Sequence, residues 1–233
     1  MRKIIGIGET ILDILFKGNQ AATSVPGGST FNSMISLGRV SVPSCFLSEI
    51  GDDKVGGIVR GFLRDNGVDD RYLTEYPDTK SPISLAFLDE GNNATYSFYK
   101  EPFSRRADWE CPTIGRDDIV LFGSYYALNP DMRYKVTALL DEARRAGAII
   151  YYDVNFRRNH AGEAIKLMGT VIENLEYADI VKARTKILKY CIVSLKELKY
   201  SKTRQTSIAL ASSIAAAHRV WNSTAARSPS AIP

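Results

Sequence analysis

The stretch DDIVLFGSYYALNPDMRYKVTALLDEARRAGAIIYYDVN, residues 117–155, decides the fold class. Its first part, 117–124, is a short apolar run ending in the small residues Gly123 and Ser124, which reads as a buried strand. Residues 131–146 repeat apolar side chains at helical spacing and stop at Gly147, a residue suited to a helix C-terminus. AIIYYDVN, 148–155, is a second buried strand with polar groups at its end. A strand, a covering helix and another strand apolar along its length form the repeating unit of a parallel sheet with helices on both faces.

The same alternation extends outward. KIIGIG at 3–8 is a buried strand and ILDILFK at 11–17 a second extended piece. PGGS at 26–29 punctuates the chain and opens a helix through about Arg39, with Ser29 as its expected cap. FLSEIG at 46–51 is a strand, and 54–66 a helix with Ile58, Val59, Phe62 and Leu63 expected on one face and Gly67 closing it. Residues 161–177 form a further helix and ADIVKA, 178–183, starts another strand. ISLAFLD-EGNN-ATYSFYK, spanning 83–100, departs from the pattern. Two β-rich runs around a Gly/Asn turn predict a hairpin standing outside the main sheet as a flap.

Composition narrows the function classes. Apolar residues make up 45% and charged residues 24%, an ordinary globular balance. A formal charge of +4, with no basic stripe before residue 182, argues against a nucleic-acid partner. Glu9 and Asp13 interrupt the apolar N-terminus, so neither a signal peptide nor a membrane span is expected. Cys45, Cys111 and Cys191 are too few and too far apart for a disulfide framework or a metal site, so a reducing cytoplasm is the expected compartment.

Four places are candidates for chemistry. Gly6-Ile7-Gly8 follows a strand, but the third glycine of a dinucleotide fingerprint would fall at Ile11 and no helix follows, so that reading is set aside. Gly27 and Gly28 before a helix let a ligand approach the backbone and expose helix N-terminal N–H groups. Asn32, one turn in, offers an amide that both donates and accepts, as a sugar hydroxyl requires; a tight turn with a helix cap explains the same residues. Asp13 lies in an apolar run, where it either faces water on a strand with one wet side or accepts from two adjacent hydroxyls. In open α/β sheets ligands bind at the carboxyl ends of strands, where Gly123, Ser124, Asp153, Asn155 and Arg157 fall.

Taken together, GETILD (8–13), PGGSTFNSMISLGR (26–39), SEIGDDKVGGIVRGFLRDNGVD (48–69) and DVNFR (153–157) resemble the ribokinase-like, phosphofructokinase-B family of carbohydrate kinases over residues 1–183, and among its members the bacterial fructokinases most. The resemblance implies a three-layer αβα Rossmann-like sheet with a small β lid, its pieces near 11–17 and 83–100. It also implies a cytoplasmic enzyme acting on a small sugar and ATP with Mg²⁺. Asp13, Gly27, Gly28 and Asn32 would hold the sugar's hydroxyls, and Phe98 would contact it from the lid. Asn155 and Arg157 would lie where sugar and phosphates meet; a structural ion pair is the other account of Arg157. The family's reaction passes the γ-phosphoryl of ATP in line to a primary hydroxyl. An aspartate takes the proton, and a G-A-G-D loop holds the developing charge. Homodimers through the lid occur among similar proteins.

The resemblance stops at residue 183. No G-A-G-D occurs, no aspartate follows Asp179, and from Arg184 onward Glu197 is the lone acidic residue. Where the family's metal-linked N-x-x-E belongs, the chain reads Arg184-Thr185-Lys186. A frame taking the third base of each codon with the next two permits an acidic run across 183–187 and a strand–turn–hairpin pattern across 206–233. Residues 184–233 are therefore expected to be out-of-frame translation, partly disordered, leaving the kinase domain incomplete at its C-terminus and its catalytic aspartate missing; a divergent native tail and an unusual splice are the alternatives. A catalytically inactive sugar-binding fragment and a nucleoside kinase of the same fold are the competing readings.

Overall fold

The computed structural model describes residues 2–89, 91, 94–103, 110–155 and 164–183. Contacts divide the chain into two units, Met1–Arg158 with Gly169–Lys182 and Asn159–Met168 with 183–233. The described part of the second unit is residues 164–168 and Ala183. The expected tail at 184–233 lies outside the described residues.

The first unit holds two sheets. β1 (Ile4–Ile7), β4 (Ser44–Gly51), β5 (Leu73–Tyr76), β8 (Ile119–Gly123), β9 (Ile149–Asp153) and β10 (Ile180–Lys182) form a parallel sheet in the order β10-β9-β8-β1-β4-β5. β2 (Ile11–Lys17), β3 (Gln20–Gly27), β6 (Ile83–Leu88) and β7 (Ala94–Tyr99) form the second, in the order β3-β2-β6-β7. The flap is therefore larger than the hairpin at 83–100 and the piece at 11–17, because β3 also belongs to it.

Helices cover both faces of the parallel sheet. α1 (Ser29–Arg39) and α2 (Lys54–Asp65) bury Phe31, Met34, Val59 and Leu63 against Phe46, Ile50, Leu73 and Leu121. Ile58 departs from its expected face and stands 48% exposed, flanking the stripe that Val59 and Leu63 make. Ile5, Leu47, Phe122 and Tyr152 occupy the alternate strand positions, toward α3 (Arg133–Ala146) and α4 (Ala164–Tyr177). There Asn174 of α4 donates to Tyr152 Oη at 3.3 Å, and Phe122 stacks on Tyr152 at 4.6 Å. Burial on both sides is why these strands read as continuous apolar runs. Gly147 ends α3 at φ 73°, and Asp53 caps α2 by accepting from the Gly56 N–H at 2.8 Å. Among the described residues, no helix is long and apolar enough to cross a membrane.

Candidate functional site at the carboxyl edge of the sheet

β1 runs directly into the second sheet, and the link Gly8–Thr10 carries the chain from one to the other, with the Gly8 N–H donating to Leu47 O at 3.2 Å. That succession is why Gly6-Ile7-Gly8 opens no dinucleotide site: a strand follows, not a helix. The second sheet thus stands at the end of the parallel sheet where ligands bind in this architecture.

Its register places the candidate residues. Asp13 pairs with Val25 on one side and Ser84 on the other, and Ser84 pairs with Phe98. Paired residues share a face, so Val25, Asp13, Ser84 and Phe98 form one row across all four strands. Ser84 Oγ donates to Asp13 Oδ1, leaving Oδ2 toward the glycine pair. A side chain at Gly27 would begin 2.9 Å from Asp13 Oδ2, and one at Gly28 would run into the Glu9 carbonyl oxygen. Gly28 is held at φ 136°, a backbone region closed to L side chains. Phe98 is 58% exposed and stacks on Tyr96 with ring centroids 5.9 Å apart.

Gly28, not Ser29, occupies the cap of α1, and no side chain caps its first N–H groups. Ser29 is already helical, so its hydroxyl no longer reaches the N2 or N3 amides. Asn32 is exposed, and its own N–H donates to Gly28 O at 3.0 Å. Asp13, Gly27, Gly28 and Asn32 are thereby gathered where the lid meets the start of α1.

The other candidates stand at the carboxyl ends of β8 and β9, one and two places from β1 in the sheet. Gly123 lets β8 and β9 approach so closely that a Cβ there would run into the Asp153 carbonyl oxygen, and the Ser124 N–H donates to that oxygen at 2.9 Å. Asp153 is bridged by Lys182 of β10 at 3.0 Å. Asn155 follows at φ 26°. Arg157 lies outside the described residues.

One group was not anticipated from the sequence. Glu49, buried in β4, accepts from Lys135 Nζ of α3 at 2.7 Å and from Tyr126 Oη at 2.8 and 3.0 Å. Burial works to lower the Lys135 pKa, but the adjacent Glu49 carboxylate outweighs it and the ammonium is held above its ordinary value. Burial first, and then Glu49, push the Tyr126 phenol well up. A lone Glu in the apolar run FLSEIG is the signal that could have revealed it.

A parallel sheet flanked by helices, with a β lid rising from its first strand, defines a ribokinase-like α/β fold. The chain belongs to the pfkB family of carbohydrate kinases, whose model matches residues 1–218. It is 24% identical over 190 residues to fructokinase-1 of Oryza sativa subsp. japonica, covering 77% of this chain and 59% of that protein. The solved fructokinase of Vibrio cholerae O395 in apo form superposes with a TM-score of 0.73 at 23% identity, over 85% of this chain and 71% of that one. A Xylella fastidiosa fructokinase with bound ATP gives 0.71 at 22% identity, over 84% and 66%. The chain spans about 50–60% of the length of the curated fructokinases it matches. The family match reaches 35 residues beyond the resemblance read at 1–183 (218 less 183), whereas the pairwise matches cover 77–78% of the chain.

The described residues do not fit the Mg²⁺ that the family resemblance implies. Among the described residues no group of three or more His, Cys, Asp or Glu is arranged to hold a metal ion, Asp153 is already paired with Lys182, and the sequence has no G-A-G-D.

Proposed function

We propose that this chain carries the sugar-recognition half of a fructokinase-type carbohydrate kinase. Asp13 accepts hydrogen bonds from hydroxyls through the oxygen that Ser84 leaves available, Gly27 and Gly28 admit the sugar against the backbone, and Asn32 both donates and accepts. Phe98 covers the sugar from the lid. Asn155 and Arg157 mark the side from which a phosphoryl group would come, where a guanidinium would offset its charge. The single observation that supports this reading most is the row Val25–Asp13–Ser84–Phe98, with Gly27 against the carboxylate.

Transfer of the ATP γ-phosphoryl group is the activity of a protein that also carries the proton-accepting aspartate and its anion loop. Residues 184–233 supply neither, and out-of-frame translation is our account of that segment. Sequencing the gene and finding no family-like reading in the other frames would overturn it. The exposed aromatics on the lid face opposite Asp13, Phe87 and Tyr99, support pairing of two copies through this sheet. Sedimentation of the chain as a monomer at all concentrations would contradict that.

The test is a phosphorylation assay with ATP, Mg²⁺ and fructose, with ribose and adenosine beside it. It compares this chain with a version restored to the alternative frame and extended through G-A-G-D. Turnover of fructose in the restored protein alone is the expected result. Turnover in the chain itself would show that another group serves as base, and preference for adenosine would move the reading to a nucleoside kinase.

A further inference from the structure

The lid meets the body at four stretches of chain, and the four are not held alike. At Gly8–Thr10 the Gly8 N–H donates to Leu47 O at 3.2 Å, and Thr10 is buried. At Gly27–Gly28 the fit is so close that a Cβ on Gly28 would run into the Glu9 carbonyl oxygen. Ahead of β6, buried Ser81 accepts from the Gly51 N–H at 2.9 Å and donates its own N–H and O–H to Asp53. The fourth stretch, Lys100–Phe103 after β7, differs: Lys100, Glu101 and Pro102 are all exposed. Two contacts hold it. Lys100 Nζ pairs with Glu9 at 2.9 Å, the two side chains being 37% and 32% exposed, and Phe103 packs on Tyr76 at 4.8 Å.

β7 depends on that stretch. It is an edge strand, paired with β6 on one side, and five of its six residues are exposed. β3, the other edge strand, runs straight into the Gly27–Gly28 contact. A strand with little buried apolar surface opens locally at low cost. An ion pair that water reaches adds little to its hold and is screened by salt. The position of β7 matters because of what it covers. Phe98 stands in the row with Ser84 and Asp13, and Lys100, Glu101, Pro102 and Phe103 all line a cleft of about 320 Å³.

We propose that β7 and Lys100–Phe103 form a movable strap, latched by the Glu9–Lys100 pair, which opens and closes while β2, β3 and β6 stay fixed to the body. Ionic strength then sets how often the strap is open. Its bearing on a sugar rests on the reading of Asp13 given above, whereas the motion itself does not.

Amide hydrogen exchange of the full chain, read by mass spectrometry of its peptides, tests the strap. Lys100→Met keeps an apolar stem and removes the charge. It should quicken exchange in Ala94–Tyr99 about threefold to fivefold, as expected for loss of a partly exposed ion pair. Exchange in β2, β3, β6 and β4 should not change. Sodium chloride at about 1 M, where the screening length is about 3 Å, should quicken β7 in the parent and add nothing in the variant. Reversing the pair, Glu9→Lys with Lys100→Glu, should restore the parent's rate. The salted parent carries the test should Lys100→Met fold poorly. Unchanged exchange in β7 under both treatments would overturn the proposal. So would equal quickening in all four lid strands, which is the lid moving as one body. Slower β7 exchange with D-fructose supports a strap that closes over an occupant of the Asp13 row. A strap that answers to charge and salt but not to fructose stands, and counts against the sugar reading alone.

Discussion

The parallel sheet and the lid are made from similar residues, yet they are held in different ways. All eight residues of β4 are buried between helix layers, whereas five of the six residues of β7 are exposed. In the body, each strand is fixed by apolar packing on both sides. The lid is joined to the body by the Gly8–Thr10 link and by polar ties. Ser81, just before β6, donates its N–H and its hydroxyl to Asp53 at 2.9 and 2.8 Å, and Lys100, just after β7, pairs with Glu9. A body of this kind unfolds as a whole, while a sheet with few buried apolar contacts opens at lower cost. Asp13, the carboxylate proposed to bind the sugar, stands on the more loosely held of the two.

The contrast is tested most strongly in the body. Lys135→Met leaves the Glu49 carboxylate buried without its counter-ion and should cost about 3–5 kcal/mol, read as a lowered urea midpoint. The double variant Glu49→Met with Lys135→Met should recover most of the loss. A single variant as stable as the parent would show that Glu49 is not buried as described.

Gly28→Ala comes next. It forces a side chain into a glycine-only conformation against the Glu9 carbonyl, at a cost of about 1–3 kcal/mol, and should impair sugar binding as well. Denaturant melts with parallel fructose titrations read both effects.

Asp53 sharpens the comparison through pH. Burial works to raise its pKa, but hydrogen bonds from the Gly56 and Ser81 amides and the Ser81 hydroxyl outweigh it and hold the carboxyl below its usual range. Its stabilisation is present above the unfolded carboxylate pKa, about 3.9, and is lost as pH falls through the depressed native value. Asp53→Ala should cost about 1 kcal/mol at pH 7. The gap from the parent should close on acidification below about pH 4; a pH-independent gap would remove the carboxylate from the account. The smallest effect belongs to Glu9→Gln. Its pair with Lys100 is partly exposed and worth about 0–1 kcal/mol, so added salt should erase the difference in melting temperature.

The same contrast explains what could be read from the sequence. β1, β4, β8 and β9 announce themselves as apolar runs because both their faces are buried. QAATSV, the start of β3, has small and polar side chains with no alternation, all of them exposed. Its strand conformation comes from pairing with β2, a tertiary cause that the local pattern does not record. β5 is a four-residue edge strand, too short to carry a period. Asp13 was legible because a lone carboxylate interrupts an apolar run. Glu49 sends the same signal, but its partner lies 86 residues away on α3, so its meaning appears only once the fold brings them together. The hidden cap of α1 has a similar cause: Ser29 has the right chemistry for a cap, but the backbone at Gly28 takes that position first.

The most direct test of the sugar-recognition reading is a calorimetric titration of the full chain with D-fructose, run beside Asp13→Ala. Saturable binding in the parent, weakened about tenfold or more in the variant as expected for loss of a charged hydrogen-bond acceptor, is the predicted result. Equal affinity in both, or no saturable binding in the parent, would contradict the assignment of this lid and its carboxylate to the sugar.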